Sequence, residues 1–393
     1  MKGKRTSKYK SIVGEEKSNK FTNINLVSEV TEGKLIACNG SFIAASWNST
    51  AGSVAILNTH FPSNVKFNCP VLRGHKYSVF DLEFSPLKDT LLATASDDAT
   101  VKLWDIPPEG LTENMNQDIL TYKGHTRRVS FVKFNPVAAD VIASASTDYT
   151  LQVWNLVKGE TYSQVEFGDL PTSLDWNPIG SLVGVTNKKK TINIFDPREK
   201  KSVLVTQIYE SPKSPKFTWV GENTFVTTGF SKQNVKELKL WDIRKVTEDL
   251  KSEGPVQKLV IDNLTTTIAT PFYDHESKLL FTSGKGELTI HCYDLNDSII
   301  YPNADFIDQN RIKTDNNPYE PSKFPDNKKS QHANYPNILG NLDVKCATGI
   351  IYTIGEEDNN FHTYPTEDSN SVLAKSSSFC ALLAGVESKS DTP

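Results

Sequence analysis

An all-β chain arranged as a seven-bladed β-propeller is the fold this sequence predicts. Three observations carry that expectation: two internal segments that superpose without a gap, weaker copies of the same unit on both sides, and a length that suits seven units. Gly74-His75 is followed by Asp98 and then by Trp104-Asp105. Gly124-His125 is followed by Asp148 and then by Trp154-Asn155. In both, His to Asp spans 23 residues and Asp to Trp six. The stretches between agree as well: LEFSP at 82–86 with VKFNP at 132–136, and LLATASDD at 91–98 with VIASASTD at 141–148. Repetition at a fixed period marks an architecture that stacks one supersecondary unit.

Each unit reads as a small sheet. VFDLEF, LLATAS and TVKLWD are short runs with alternating or continuous apolar character, which makes them strands. Asp98-Ala99 and Asp148-Tyr149 fall in the tight turns between them. A four-stranded sheet with His, Thr or Ser, Asp and Trp at these offsets is a WD-repeat propeller blade. The expected hydrogen-bonded tetrads are His75, Thr94, Asp98 and Trp104, and likewise His125, Ser144, Asp148 and Trp154. They tie the loop that opens each blade to its inner strands.

Weaker copies complete the ring. Residues 42–47 and 54–57 form a degenerate first blade. Pro178 leads to Phe195-Asp196 at close to the spacing of Pro86 to Trp104. Residues 225–229 lead to Trp241-Asp242, and Phe272 leads through Gly284 to Tyr293-Asp294. Residues 342–347 and 350–354 begin the last blade. The spacing matches the roughly 40–45 residues usual for a blade. The propeller is therefore expected over residues 1–365. Within it, 307–338 is an Asn-, Asp-, Pro- and Lys-rich inserted loop. Residues 366–393 are expected as a Ser-rich C-terminal extension whose apolar stretch, 379–386, packs on the underside.

Composition narrows the function. Lys and Arg number 43 against 47 Asp and Glu, so a general nucleic-acid or membrane binder, with its broad basic excess, is not expected. No apolar segment follows the N-terminal MKGKRTSKYK, and none elsewhere is long enough to span a bilayer. Cys38, Cys69, Cys292, Cys346 and Cys380 are an odd number without metal-knuckle spacing, and read as reduced thiols of a soluble cytoplasmic protein.

No chemistry of catalysis emerges. His75 with Asp98 and His125 with Asp148, each near Ser or Thr, imitate a hydrolase triad, but their duplication blade by blade favours a structural role. His60, His275, His291, His332 and His362 lack metal-ligand spacing. Gly284-Lys285-Gly286 lacks the upstream glycine and following Ser or Thr of a phosphate loop and reads as a hairpin turn. Neither cofactor, metal nor catalytic residue is expected. Basic residues do cluster: seven in 1–20, then Arg127-Arg128, then Lys188-Lys189-Lys190 at the turn where the second blade has Asp98. Such clusters are most often solvated surface, yet these fall on loops, where propellers present binding groups.

The ordered motifs resemble the coronins, WD-repeat proteins that bind actin filaments, from about Ser7 to Pro365. SKYKSIVG at 7–14 is similar to the coronin opening, KGHTRRV at 123–129 to the opening of a coronin third blade, and FDPREKK at 195–201 to the exit of the fourth. The most specific matches are FVTTGFSK at 225–232 with ELKLWD at 237–242, and TPFYDHESKLLFTSGKGELTI at 270–290. LDVKCA at 342–347 resembles the last blade.

This resemblance implies seven blades from five recognisable repeats, with 1–14 supplying a strand that closes the last blade. It also implies a cytoplasmic actin-filament scaffold that works with other actin regulators and is not an enzyme. Actin binding is expected at Arg127 and Arg128, then Lys8, Lys10, Lys20 and Lys232. Where animal coronins carry an arginine before the first blade, this chain has Asn25 or Leu26, with Lys20 and Lys34 flanking. No heptad pattern follows Pro365, so the chain is expected to be monomeric without the family's coiled coil. The long insertion points to a protist version. An alternative is a ubiquitin-ligase substrate receptor, because Trp241-Asp242-Ile243-Arg244 resembles the docking motif of such proteins.

Overall fold

Short apolar runs separated mostly by connections of three to six residues can hardly form anything but antiparallel hairpins, and the computed structural model stacks them into successive small sheets. It describes residues 21–27, 32–49, 51–61, 64–246, 254–261, 267–275, 277–284, 287, 289–296, 299–307, 350–354, 361–365 and 386–389. The first sheet holds β1 (Ile36–Cys38), β2 (Phe42–Trp47), β3 (Ser53–Asn58) and β4 (Val71–Arg73). The second holds β5 (Val79–Phe84), β6 (Leu91–Ser96), β7 (Thr100–Asp105) and β8 (Leu120–Lys123). The third holds β9 (Val129–Phe134), β10 (Val141–Ser146), β11 (Thr150–Asn155) and β12 (Glu160–Glu166). The fourth holds β13 (Pro171–Trp176), β14 (Val183–Asn187), β15 (Thr191–Asp196) and β16 (Lys201–Gln207).

The fifth sheet comprises β17 (Lys216–Trp219), β18 (Thr224–Phe230), β19 (Lys236–Asp242) and β20 (Gln257–Val260). The sixth comprises β21 (Ala269–Asp274), β22 (Leu279–Gly284), β23 (Thr289–Asn296) and β24 (Ile299–Ile307). The seventh contains β25 (Ile350–Ile354), β26 (Phe361–Pro365) and β27 (Val386–Lys389), ordered β26-β25-β27. The chain is a seven-bladed β-propeller of the WD-repeat type.

The leading strands β1, β5, β9, β13, β17 and β21 are successive neighbours around the centre, and β27 lies beside β1. The C-terminal stretch was expected outside the blades, on the underside. The four residues of it that the structure describes instead pair with β25, from Thr353–Val386 to Ile350–Lys389. The expected loop at 307–338 has its first residue, Ile307, at the end of β24, and the rest of it, the expected closing strand at 1–14 and the 342–347 strand lie outside the described residues.

The core sits between blades. One apolar layer joins Phe42, Val54 and Leu72 of the first blade to Leu82, Phe84 and Trp104 of the second. The next joins Leu103 and Tyr122 to Val132, Ile142 and Trp154, and equivalent layers follow at the junctions up to that of the fifth and sixth blades. A blade cannot bury its apolar face alone, so the stacking itself stabilises the ring. Burying each large side chain contributes about 1.5–3 kcal/mol. Outside the first blade, Phe21 and Ile24 complete a further cluster with Trp47 and Val65. Leu26, one of the two residues that stand where the arginine was sought, is bridged to Trp47.

Cys38, read above as a thiol, is disulfide-bonded, whereas Cys69 and Cys292 keep their thiols. Five scattered cysteines carry no spacing signal for such a bond.

Candidate functional site: tetrads, channel and basic loops

In the second blade His75 Nδ1 lies 2.9 Å from Asp98 Oδ2 and its Nε2 lies 2.7 Å from Thr94 Oγ1. Trp104 Nε1 donates to the same hydroxyl at 2.9 Å. The third blade repeats this with His125, Asp148, Ser144 and Trp154 at 3.1, 2.8 and 2.8 Å. Both histidines are buried under their own tryptophan. Each aspartate also accepts the backbone N–H of Lys76 or Thr126 at 2.9 Å. Burial pushes the Asp98 and Asp148 carboxyls up. The hydrogen bonds from histidine, threonine and backbone outweigh that and hold both well below the usual carboxylate range. A histidine enclosed this way is a brace; it has no open side for a substrate.

The later blades vary the device. Register aligns Val185 and Phe195 of the fourth blade with Thr94 and Trp104, so its brace is apolar. Lys189 takes the place of Asp98, and Lys190 adopts the left-handed backbone (φ 64°) that Ala99 and Tyr149 adopt in the preceding blades (63° and 69°). In the fifth blade Trp241 Nε1 donates to Thr227 Oγ1 at 2.9 Å, and Tyr209 supplies the third member with its hydroxyl 3.3 Å from Oγ1. Nothing in the Gly-His pattern points to Tyr209, because it is a different residue at a different offset.

A second set of polar groups lines the centre of the ring. Asp81 Oδ2 accepts the N–H of Val132 at 2.8 Å, and Glu83 Oε2 that of Phe134 at 2.5 Å, so two acids of one blade clamp the next blade's inner strand. Asp175 repeats the clamp on the fifth blade, accepting from Thr218 Oγ1 at 2.8 Å and from the Trp219 N–H at 3.1 Å. Lys133 joins the acids, paired with Glu83 and 4.0 Å from Asp175. Burial alone would pull Lys133 down, but Glu83 and Asp175 more than reverse it. Burial raises Asp81 to about 7 against the pull of Lys34 and two backbone donors. Lys34 is lowered to about 8 by burial and by Lys133. Its backbone N–H is held by Asp81, and it lines the channel cavity.

The actin-binding expectations divide. Arg127 and Lys232 are exposed on loops at the end of the ring where the tetrad aspartates lie. Arg128 is at the same end but engaged: Nε donates to Asp97 at 2.7 Å, and the guanidinium stacks 4.4 Å over Phe80. Lys8, Lys10 and Lys20 lie outside the described residues. Arg244, of the docking-like motif, forks onto Asp242 at 2.8 and 3.0 Å. Arg198 does the same to Asp196 one blade earlier, so this geometry reads as a strand-end brace built twice. Among the described residues no group of three or more His, Cys, Asp or Glu could hold a metal ion, and no helix is long and apolar enough to cross a membrane.

Comparison with known proteins follows this architecture. Residues 68–105 and 116–155 match the WD domain, G-beta repeat, and residues 2–62 match a domain of unknown function, DUF1899. The WD40 domain of Toxoplasma gondii coronin, known from a crystal structure, superposes with a TM-score of 0.75 at 22% identity over 98% of both chains. Coronin-A of Dictyostelium discoideum is 35% identical over 300 residues, 76% of this chain and 66% of that protein. Coronin-2B of Xenopus laevis is 36% identical over 296 residues, 74% of this chain and 61% of that one. A coronin-like protein of Schizosaccharomyces pombe is 28% identical over 309 residues, 77% and 50% respectively. The molecule is thus a WD-repeat propeller of the kind these relatives carry. The chain belongs to the coronin family, and spans about half to two thirds of the length of these relatives.

Proposed function

We propose that this protein is a non-catalytic scaffold of the cytoplasmic actin cytoskeleton that binds actin filaments through basic residues on its propeller, without a cofactor, alongside other actin regulators. The observation that supports this most is the identity of about a third with coronins across three quarters of the chain. Exposed Arg127 and Lys232 on loops at one end of the ring offer the positive charge that an acidic filament surface attracts. The ligase-receptor reading has less support, since Arg244 is held by its own Asp242.

Co-sedimentation with filamentous actin tests the proposal. The chain is expected to pellet weakly, since exposed charge contacts are individually weak, and less as salt rises to about 0.3 M, where charges are screened within about 6 Å. Arg127→Glu with Lys232→Glu is expected to reduce pelleting in part and leave melting unchanged. Arg128→Glu is expected to lower the melting temperature as well, because it sets a carboxylate against Asp97. A wild-type chain that stays in the supernatant at low salt would refute the filament reading.

A further inference from the structure

Just before the first blade, Glu32-Gly33-Lys34 crosses the central channel. At Gly33 a Cβ would lie 2.1 Å from the Phe80 carbonyl oxygen and 2.9 Å from that of Ser130, so the segment runs hard against the second and third blades. Only glycine passes at that distance. The Lys34 N–H donates to Asp81 Oδ1 at 3.0 Å and fixes one end. At the other end Lys216 of the fifth blade, its side chain 9% exposed, reaches back. Its Nζ donates to the Glu32 carboxylate at 2.8 Å, to the Glu32 carbonyl at 3.1 Å and to the Thr172 carbonyl at 2.6 Å.

Around this segment lies a cavity of about 640 Å³ at the end of the ring that carries Arg127. That is within the range of about 300–1,000 Å³ usual for ligand sites. Its charges are sorted by depth. The acids Asp81 and Asp175 turn to backbone N–H groups of neighbouring strands, which leaves little of their charge for the cavity. The cations Arg128, Lys188, Lys213 and Lys216 line it too, with Lys188 exposed beside the opening. Among the described residues the anion that Lys216 holds is the Glu32 carboxylate, 37% exposed. A buried lysine already holding a carboxylate, ringed by further cations, shows what chemistry the site accepts.

We infer that the mouth of the central channel is a carboxylate-binding site that takes an acidic peptide segment of a partner, with Glu32 as the chain's own stand-in. The partner's carboxylate takes the place of the Glu32 side chain on Lys216, while Lys188 and Lys213 meet the residues that flank it. Glu32 therefore competes with the partner, and apparent affinity falls by the fraction of molecules in which it is seated. The inference does not rest on filament binding, and its test contains no actin.

The probe is a fluorescein-labelled hexaglutamate peptide, followed by fluorescence anisotropy on the full chain at physiological salt. Saturable binding is expected. Glu32→Gln, which keeps the side-chain length and removes the charge, is expected to tighten it about threefold or more. Lys188→Glu is expected to weaken it about fivefold or more by opposing the ligand's charge at the opening. Lys188→Glu with Lys213→Glu should abolish it. Lys213 also lies 3.8 Å over the Phe230 ring, so thermal melting accompanies that variant and the single Lys188 change decides if it unfolds. Lys158→Glu, in the exposed turn between β11 and β12 at the opposite end, is the charge control and should bind as wild type. The inference fails if neither wild type nor Glu32→Gln binds saturably, if Glu32→Gln leaves affinity unchanged, or if Lys158→Glu weakens binding as much as Lys188→Glu.

Discussion

Lys133→Met is expected to destabilise the fold by about 3–5 kcal/mol, the usual cost of leaving one member of a buried ion pair without its partner. Lys133 and Glu83 are each only 10% exposed and sit on the inner strands of adjacent blades. Without Lys133, Glu83 keeps the Phe134 N–H and only the weaker pull of Lys34. Burial already pushes its carboxyl up against the pull of Lys133, and removing Lys133 lets burial push it further. Asp175 loses its neighbour at 4.0 Å as well. Replacing both members, as Glu83→Gln with Lys133→Met, is expected to recover much of the loss, because no unpaired charge then remains at position 83. Chemical denaturation of the four species measures the coupling. A single Lys133→Met that unfolds like wild type would mean that the acid–lysine chain does not hold these blades together.

The outcome of reading the sequence follows from the range of the interactions. β5, β6 and β7 coincide with VFDLEF, LLATAS and TVKLWD because a strand's pattern is contained within six residues. The tetrads are legible because His, Ser or Thr, Asp and Trp recur at one spacing within a single blade. The channel clamps are not. Asp81 and Glu83 look like the polar face of an alternating strand, and what they bind is a backbone N–H about fifty residues further on, which carries no side-chain signature. Glu32-Gly33-Lys34 is equally silent, since its partner Lys216 is 184 residues away along the chain. The outer strands β12 and β16 expose most of their residues, Val203 and Val205 included, so apolar periodicity hardly marks them. Arg128 was visible as a basic residue on a loop. That Asp97 and Phe80 engage it required the folded neighbour blade.

His75→Ala is expected to lower stability by about 1–3 kcal/mol, the cost of leaving buried polar groups without their hydrogen-bond partner. The Thr94 hydroxyl keeps the Trp104 N–H, but Asp98 Oδ2 loses its side-chain partner and keeps the backbone of Lys76. The empty space cannot be refilled from Gly74, where even a Cβ would meet the Trp104 ring at 2.7 Å. Asp98→Asn conserves shape and removes charge, and it separates bracing from electrostatics through pH. The folded Asp98 carboxyl lies below its unfolded value of about 3.9. Its stabilisation is therefore fully present above that pH and is lost as pH falls through about 4 toward the folded value. Melting curves between pH 7 and pH 3 should show Asp98→Asn starting lower than wild type and the gap narrowing with acid. The other depressed carboxylates, Asp148 among them, remain in both proteins and keep a shared acid slope. A His75→Ala protein that melts as wild type, or an Asp98→Asn gap that stays constant down to pH 3, would remove the tetrad from among the groups that hold the blade.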